Sequence, residues 1–198
     1  MTTTGRVLVG ITGASGAAYA QRLIQLLIDH DREVHLIVST WGKRLLNEEL
    51  GMRTIDLAAL SGGRGERVQL HSDQNLGAAA ASGSFQHDGM VILPCSTNTL
   101  GCLASGINDS LIQRAGACCL KERRRLIVCH RETPLSLIEL ENMTRLTRAG
   151  AIIAPLSPGF YLAPDSIDAL IDFMCARVLD LLGIEHALAT RWEEYVSS

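Results

Sequence analysis

The chain is short of several things that would each point somewhere definite. It has no basic excess: 18 Lys and Arg stand against 21 Asp and Glu, for a net charge of -3. Binding to a nucleic-acid backbone needs a clear basic surplus. No apolar run approaches the roughly 18 residues of a membrane span, and Met1 to Gly5 has neither the basic nor the apolar part of a signal peptide. The 6 cysteines and 6 histidines contain no Cys-x-x-Cys, His-x-x-x-His or His-Glu-x-x-His spacing, so no zinc site is expected. Together these absences predict a cytoplasmic protein with buried reduced thiols, no metal, no nucleic-acid partner and no membrane contact.

What is present is an alternation of strand-like and helix-like segments. The chain is 198 residues long, 47% hydrophobic and 20% charged, which suits one domain spanning 1–198 with a sizeable core. Val7 to Ile11 is an unbroken aliphatic run, the pattern of a strand buried on both faces of a parallel sheet. It ends in Thr12-Gly13-Ala14-Ser15-Gly16 before an apolar helix over Ala17 to Ile28. Gly13 and Gly16 allow close backbone approach, and Ser15 is placed to cap the helix. The turn is either an anion cradle at a helix N-terminus or only a tight strand-to-helix connection.

Further strands are predicted at Glu33 to Val38, Gly89 to Leu93, Leu126 to Cys129 and Ala151 to Ala154, with a short one near Val68 to Leu70. Helices are predicted over 41–50, after Pro94, and over 111–120, 135–149 and 166–182. The stretch 52–83 reads as loop-rich. Strands joined by crossover helices run parallel and deliver their C-terminal ends to one edge, where ligands gather. That edge receives Ser39, then Ser96-Thr97-Asn98-Thr99, then Arg131-Glu132, then Pro158-Gly159-Phe160-Tyr161. The hydroxyls and amide at 96–99 suit phosphate oxygens or a heterocycle edge, or form an N-cap. Arg131 suits bidentate phosphate contact, and Glu132 could move a proton.

Ser39 stands where a nicotinamide enzyme usually carries an acid, and no Tyr-x-x-x-Lys follows, which argues against hydride transfer. In the last helix Arg177 falls three residues after Met174 and four before Leu181, on the apolar stripe. A charge there calls for a carboxylate partner or an anionic ligand.

The motifs Gly-Ile-Thr-Gly-Ala-Ser-Gly at 10–16, Pro-Cys-Ser-Thr-Asn-Thr-Leu at 94–100, Leu-Lys-Glu-Arg-Arg at 120–124, Arg-Glu-Thr-Pro-Leu at 131–135, Leu-Glu-Asn-Met at 140–143 and Pro-Gly-Phe-Tyr at 158–161 resemble, in order and spacing, the UbiX-type flavin prenyltransferases. These belong to a flavoprotein family that also includes cysteine decarboxylases. The resemblance implies a three-layer α/β fold, Rossmann-like (flavodoxin-like), with helices on both faces of a parallel sheet. It implies transfer of a dimethylallyl group from dimethylallyl phosphate to N5 and C6 of reduced FMN, without metal, yielding prenylated FMN for a UbiD-type decarboxylase. By the same resemblance Gly13, Ala14, Ser15, Ser39, Ser96, Thr97, Asn98, Thr99 and Arg131 hold FMN, while Tyr161, Arg177 and Lys121 hold the prenyl phosphate. Ser15, Glu49, Lys121 and Glu132 carry the chemistry. A homo-oligomer, a dodecamer in such enzymes, completes the site between subunits, with the last helix and tail, about 166–198, in the contacts.

The sequence departs from the pattern at Leu76, His130 and Leu162, where such enzymes often carry Trp, Pro and His. Two other readings use the same fold. One is an FMN-dependent decarboxylase of a cysteine-containing substrate, for which His71 is the one available base; the other is a non-catalytic flavin-binding module.

Overall fold

The computed structural model describes residues 5–161 and 163–188. Six parallel strands form one sheet in the order β3-β2-β1-β4-β5-β6, where β1 is Arg6–Ile11, β2 Glu33–Val38, β3 Val68–Ser72, β4 Gly89–Cys95, β5 Leu126–His130 and β6 Ile152–Ile153. Seven α-helices connect or cover them: α1 Ala17–Asp29, α2 Thr40–Leu50, α3 Leu57–Ser61, α4 Thr97–Ala104, α5 Leu111–Lys121, α6 Leu137–Ala149 and α7 Ile167–Leu182.

Alternation along β1 divides the core into two layers, since successive side chains in a strand point to opposite faces. Val7, Val9 and Ile11 join the cluster that includes Leu23, Ile24 and Leu27 of α1 and Val178, Leu179 and Leu182 of α7. Leu8 joins the opposite cluster with Leu100 and Leu103 of α4, Ile112 and Ala115 of α5 and Leu146 of α6. The sheet is therefore the middle of three layers, as the sequence predicts. The central strands are aliphatic because both their faces are covered.

The element boundaries shift in instructive ways. The loop-rich stretch contains α3, capped by the Asp56 carboxylate on Ala59 N–H at 2.9 Å. The short strand near Val68 extends to Ser72 and pairs with β2 as the sheet edge. Helix α6 starts at Leu137, not Leu135, because Ser136 and Glu139 form a capping box. The tail beyond residue 188 and the departure at Leu162 lie outside the described residues. No helix among the described residues is long and apolar enough to cross a membrane.

Strand order reverses between β1 and β4: the chain leaves β1 toward β2 on one side and later returns to β4 on the other. In doubly wound sheets the crevice at the carboxyl ends of such a pair is where ligands bind.

Candidate functional site

At that crevice Thr12 ties two loop tips together. Its N–H and its Oγ1 both donate to the Pro94 carbonyl, at 3.2 and 2.8 Å, and Oγ1 accepts from Ser96 N–H at 2.8 Å. The end of β1 is thereby locked to the start of α4. Trp41 packs against the same turn, and a Cβ placed on Gly13 would lie 2.4 Å from the Trp41 Cβ. Gly13 is thus required by space.

Of the helices that begin at this edge, α1, α2, α4 and α5 surround the crevice, and their N-termini are not equivalent. An N-terminus exposes unsatisfied N–H groups and the positive end of the helix dipole, so it attracts an anion. At α1 the anion is internal: the Glu49 carboxylate accepts from Gly16 N–H at 3.0 Å and Ala17 N–H at 2.8 Å. This corrects the expectation that Ser15 caps α1. The N-cap is Gly16, with φ +132°, and no side chain of its own turn serves it. At α5 the Asp73 carboxylate accepts from Ile112 N–H at 3.0 Å. At α2 and α4 the caps are neutral, Ser39 Oγ accepting from Gly42 N–H at 3.0 Å and Ser96 Oγ from Thr99 N–H at 3.4 Å. Two N-termini are already neutralised by carboxylates, and two, at Ser39 and Ser96, remain open to an external anion.

The open pair shares one cleft of about 720 Å³, whose walls include Gly13, Ser39, Trp41, Ser96, Asn98 and Thr99. That volume is within the roughly 300–1,000 Å³ of small-molecule sites. A second hollow, about 420 Å³, lies across the turn against Gly13, Ala14, Ser15 and Glu49. Trp41, 64% exposed, borders both, with the Arg44 guanidinium 5.6 Å from its ring. These hollows and hydroxyl-rich caps fit a phosphate joined to a flat polar heterocycle.

Arg131 leaves the end of β5 at the same edge, exposed and without an ion-pair partner among the described residues. Glu132 follows it, its Oε1 accepting from Thr133 N–H at 2.9 Å. His130, where Pro is usual, is buried and directs Nδ1 to the Cys95 carbonyl at 3.0 Å, adding a tie between β5 and β4. Tyr161 stands in the turn beyond β6, edge-to-face on Phe173 of α7 with ring centroids 5.6 Å apart.

The remaining predicted residues lie elsewhere in the single chain. Lys121 ends α5, and the chain then enters β5 at Leu126, so Lys121 belongs to the opposite, amino-terminal rim, paired with Glu122 at 3.2 Å. Arg177 occupies the later half of α7, which runs toward that same rim: the Leu182 carbonyl accepts from Arg125, beside the start of β5, at 2.6 Å. The sequence reading placed Arg177 on the packed stripe, and this is corrected. The buried face of α7 is Ile171, Met174, Cys175, Val178, Leu179 and Leu182, while Arg177 is exposed and pairs with Asp180 at 2.6 Å. The buried face is rotated toward Cys175, Leu179 and Leu182, leaving Ile167 exposed and Leu170 and Leu181 only partly covered, and this rotation turns Arg177 out to water. His71 is not among the cleft residues: it lies on β3 with its Nε2 2.9 Å from His35 Nδ1.

Sequence reasoning missed Trp41, Asp73, Ser110 and Gln113 on the cleft wall. Trp41 follows a strand end directly, and Ser110-x-x-Gln113 before an apolar run is a readable capping box. Asp73 had no signal, because it comes from the loop-rich stretch.

The flavoprotein family matches residues 1–179. This chain belongs to that family and is of the UbiX type. It is 45% identical over 195 residues to the flavin prenyltransferase UbiX of Halalkalibacterium halodurans, covering 96% of this chain and 94% of that one. Among solved structures, AnUbiX (PadA1) in complex with FMN and dimethylallyl pyrophosphate superimposes with TM-score 0.87 at 38% identity, covering 95% of this flavoprotein and 97% of the other. A dodecameric FMN-dependent UbiX-like decarboxylase from Escherichia coli O157:H7 gives TM-score 0.87 at 40% identity, covering 94% and 98%. No group of three His, Cys, Asp or Glu among the described residues is arranged to hold a metal ion.

Proposed function

We propose that this flavoprotein is a flavin prenyltransferase, which joins a dimethylallyl group to N5 and C6 of reduced FMN and releases prenylated FMN for a UbiD-type decarboxylase. The observation that carries the reading is the pair of open, serine-capped helix N-termini on one cleft, in a chain whose relatives are flavin prenyltransferases over nearly full length. FMN is a substrate here: its phosphate belongs at Ser39 and Ser96 to Thr99, with Arg131 as the charged donor and Gly13 to Ser15 beside the ring.

Breaking the allylic C–O bond places growing positive charge on carbon and negative charge on the leaving phosphate. Fixed cationic donors stabilise that phosphate as its charge grows, and an apolar, aromatic wall keeps water from the cation. Arg177 and Lys121 are the donors in this reading, with Tyr161 beside them. Since both cations lie on the opposite rim of their own chain, a neighbouring copy in a homo-oligomer supplies them. The dodecameric state of the Escherichia coli structure supports that arrangement. Glu132 and Ser15 move protons between phosphate and flavin. Glu49 fixes the glycine turn at α1 and thus the surface on which the ring lies.

The test is mass spectrometry of the flavin after anaerobic incubation of the protein with reduced FMN and dimethylallyl phosphate, and in parallel with the diphosphate. A mass gain of one prenyl unit is the expected result. Unchanged flavin with both donors, together with decarboxylation of a cysteine-containing substrate, would overturn the assignment.

A further inference from the structure

Gln113 stands in the first turn of α5, 8% exposed, with its side-chain amide half used. Its Oε1 accepts from Asp109 N–H at 2.8 Å and Ser110 N–H at 3.2 Å. Two converging N–H donors fix that atom as the oxygen, so the other is the NH2 group. This Nε2 has no hydrogen-bond partner among the described residues, and it is not sealed in the core, because Gln113 lines the cleft. Open to the cleft and not engaged within the chain, this donor is available to an acceptor from a bound ligand.

The chemistry narrows that acceptor. With Oε1 occupied, the group facing the cleft can only donate, and it suits an oxygen that only accepts. The other polar groups on the wall include Ser39, Ser96, Asn98 and Thr99, at the two N-termini that lack an internal anion. The Asp73 carboxylate, on the same wall, is held by Ile112 N–H. It neutralises the α5 terminus, so what α5 offers the ligand is the Gln113 amide.

We propose that the Gln113 side-chain NH2 donates to the phosphate of FMN, closing a third side of an anion site whose other sides are the N-termini of α2 and α4. This rests on the flavin reading above. Gln113 becomes a specificity residue for the mononucleotide over riboflavin.

Gln113→Glu is the decisive variant. A glutamate keeps the oxygen that caps Asp109 and Ser110 N–H, since Ser-x-x-Glu is also a capping box, but replaces the donor with a second anionic oxygen. FMN and riboflavin affinities are measured by flavin fluorescence quenching, with the thermal midpoint of the ligand-free protein as control. FMN binding is expected to weaken by at least about tenfold, the loss of a charge-assisted hydrogen bond. Riboflavin binding should stay within about twofold, and the midpoint unchanged. Gln113→Met removes the donor without adding charge and should lower the FMN-to-riboflavin affinity ratio about fivefold. That ratio cancels structural damage, which weakens both flavins alike. Equal losses for the two flavins, or an unchanged ratio in both variants, would overturn the assignment to phosphate. A wild-type protein that binds neither flavin would overturn the flavin reading, and this proposal with it.

Discussion

Gly13 and Arg131 separate two ways in which one residue can matter to the cleft. Gly13 is fixed by space: a methyl group there would lie 2.4 Å from the Trp41 Cβ, and neither the turn locked by Thr12 nor the capped start of α2 can yield freely. Gly13→Ala should destabilise the protein by about 1–3 kcal/mol, the usual cost of overpacking, and weaken FMN binding as Trp41 is displaced. Thermal denaturation and flavin titration on one preparation would show both effects. Arg131 is the opposite case. Its guanidinium is exposed and makes no ion pair among the described residues, so Arg131→Ala should change stability by less than about 0.5 kcal/mol. FMN affinity should nonetheless fall about 10- to 100-fold, the range of a lost hydrogen bond to a charged group. Unaltered FMN affinity in this variant would remove Arg131 from the phosphate site.

The helix N-termini carry the difference between what was and was not legible in the sequence. Strand and helix alternation follows from aliphatic runs and periodicity, so five strand ends, and with them Ser39, Ser96 and Arg131, are placed on one edge by the sequence alone. Which N-terminus is free for a ligand is not, because it depends on Glu49 and Asp73 arriving from distant elements. Arg177 failed for a related reason: packing on α1 and the sheet rotates the buried face of α7 toward Cys175, Leu179 and Leu182, away from the stripe that Ile167, Leu170 and Leu181 mark in the sequence. At the far edge β2 and β3 hold another arrangement invisible to spacing. His35 is buried, stacks on His71 with centroids 5.1 Å apart, meets Phe85 edge-on, and faces His87 through that ring. Burial pushes its pKa down to about 4, against an opposing pull from Glu33 and with Arg6, His71 and His87 adding to the depression. Because the folded state resists protonation, stability from this group is complete above about pH 6.5 and is lost as pH falls through about 4. The thermal midpoint of the wild type should therefore drop by several degrees across that window, and the drop should shrink in His35→Gln. An identical pH profile in the variant would show that acid sensitivity resides in other groups.

At the scale of the whole molecule, the two rims of the sheet pose a problem that one chain does not solve. Ser39, Ser96, Arg131 and Glu132 belong to the carboxyl edge, whereas Lys121 and Arg177 belong to the amino edge, with the length of the strands between them. Cations on the far rim can reach a flavin only if another copy presents its own far rim to the cleft. Apolar side chains left in water at Leu137, Ile138 and Leu140 of α6, and at Phe160 and Ile167, offer surfaces on which copies can pack. The consequence is testable by complementation. Arg177→Ala should abolish prenyl transfer while FMN stays bound, and Arg131→Ala should fail through poor FMN binding. When the two variants are unfolded together and reassembled in equal amounts, roughly a quarter of the sites would combine an intact Arg131 from one chain with an intact Arg177 from another, as a symmetric oligomer with heterologous sites requires. Recovery of about that fraction of wild-type turnover, from two proteins that are each inactive alone, is the expected outcome. If each site drew both arginines from a single chain, no mixed oligomer could regain activity, because every chain in it would carry one defect.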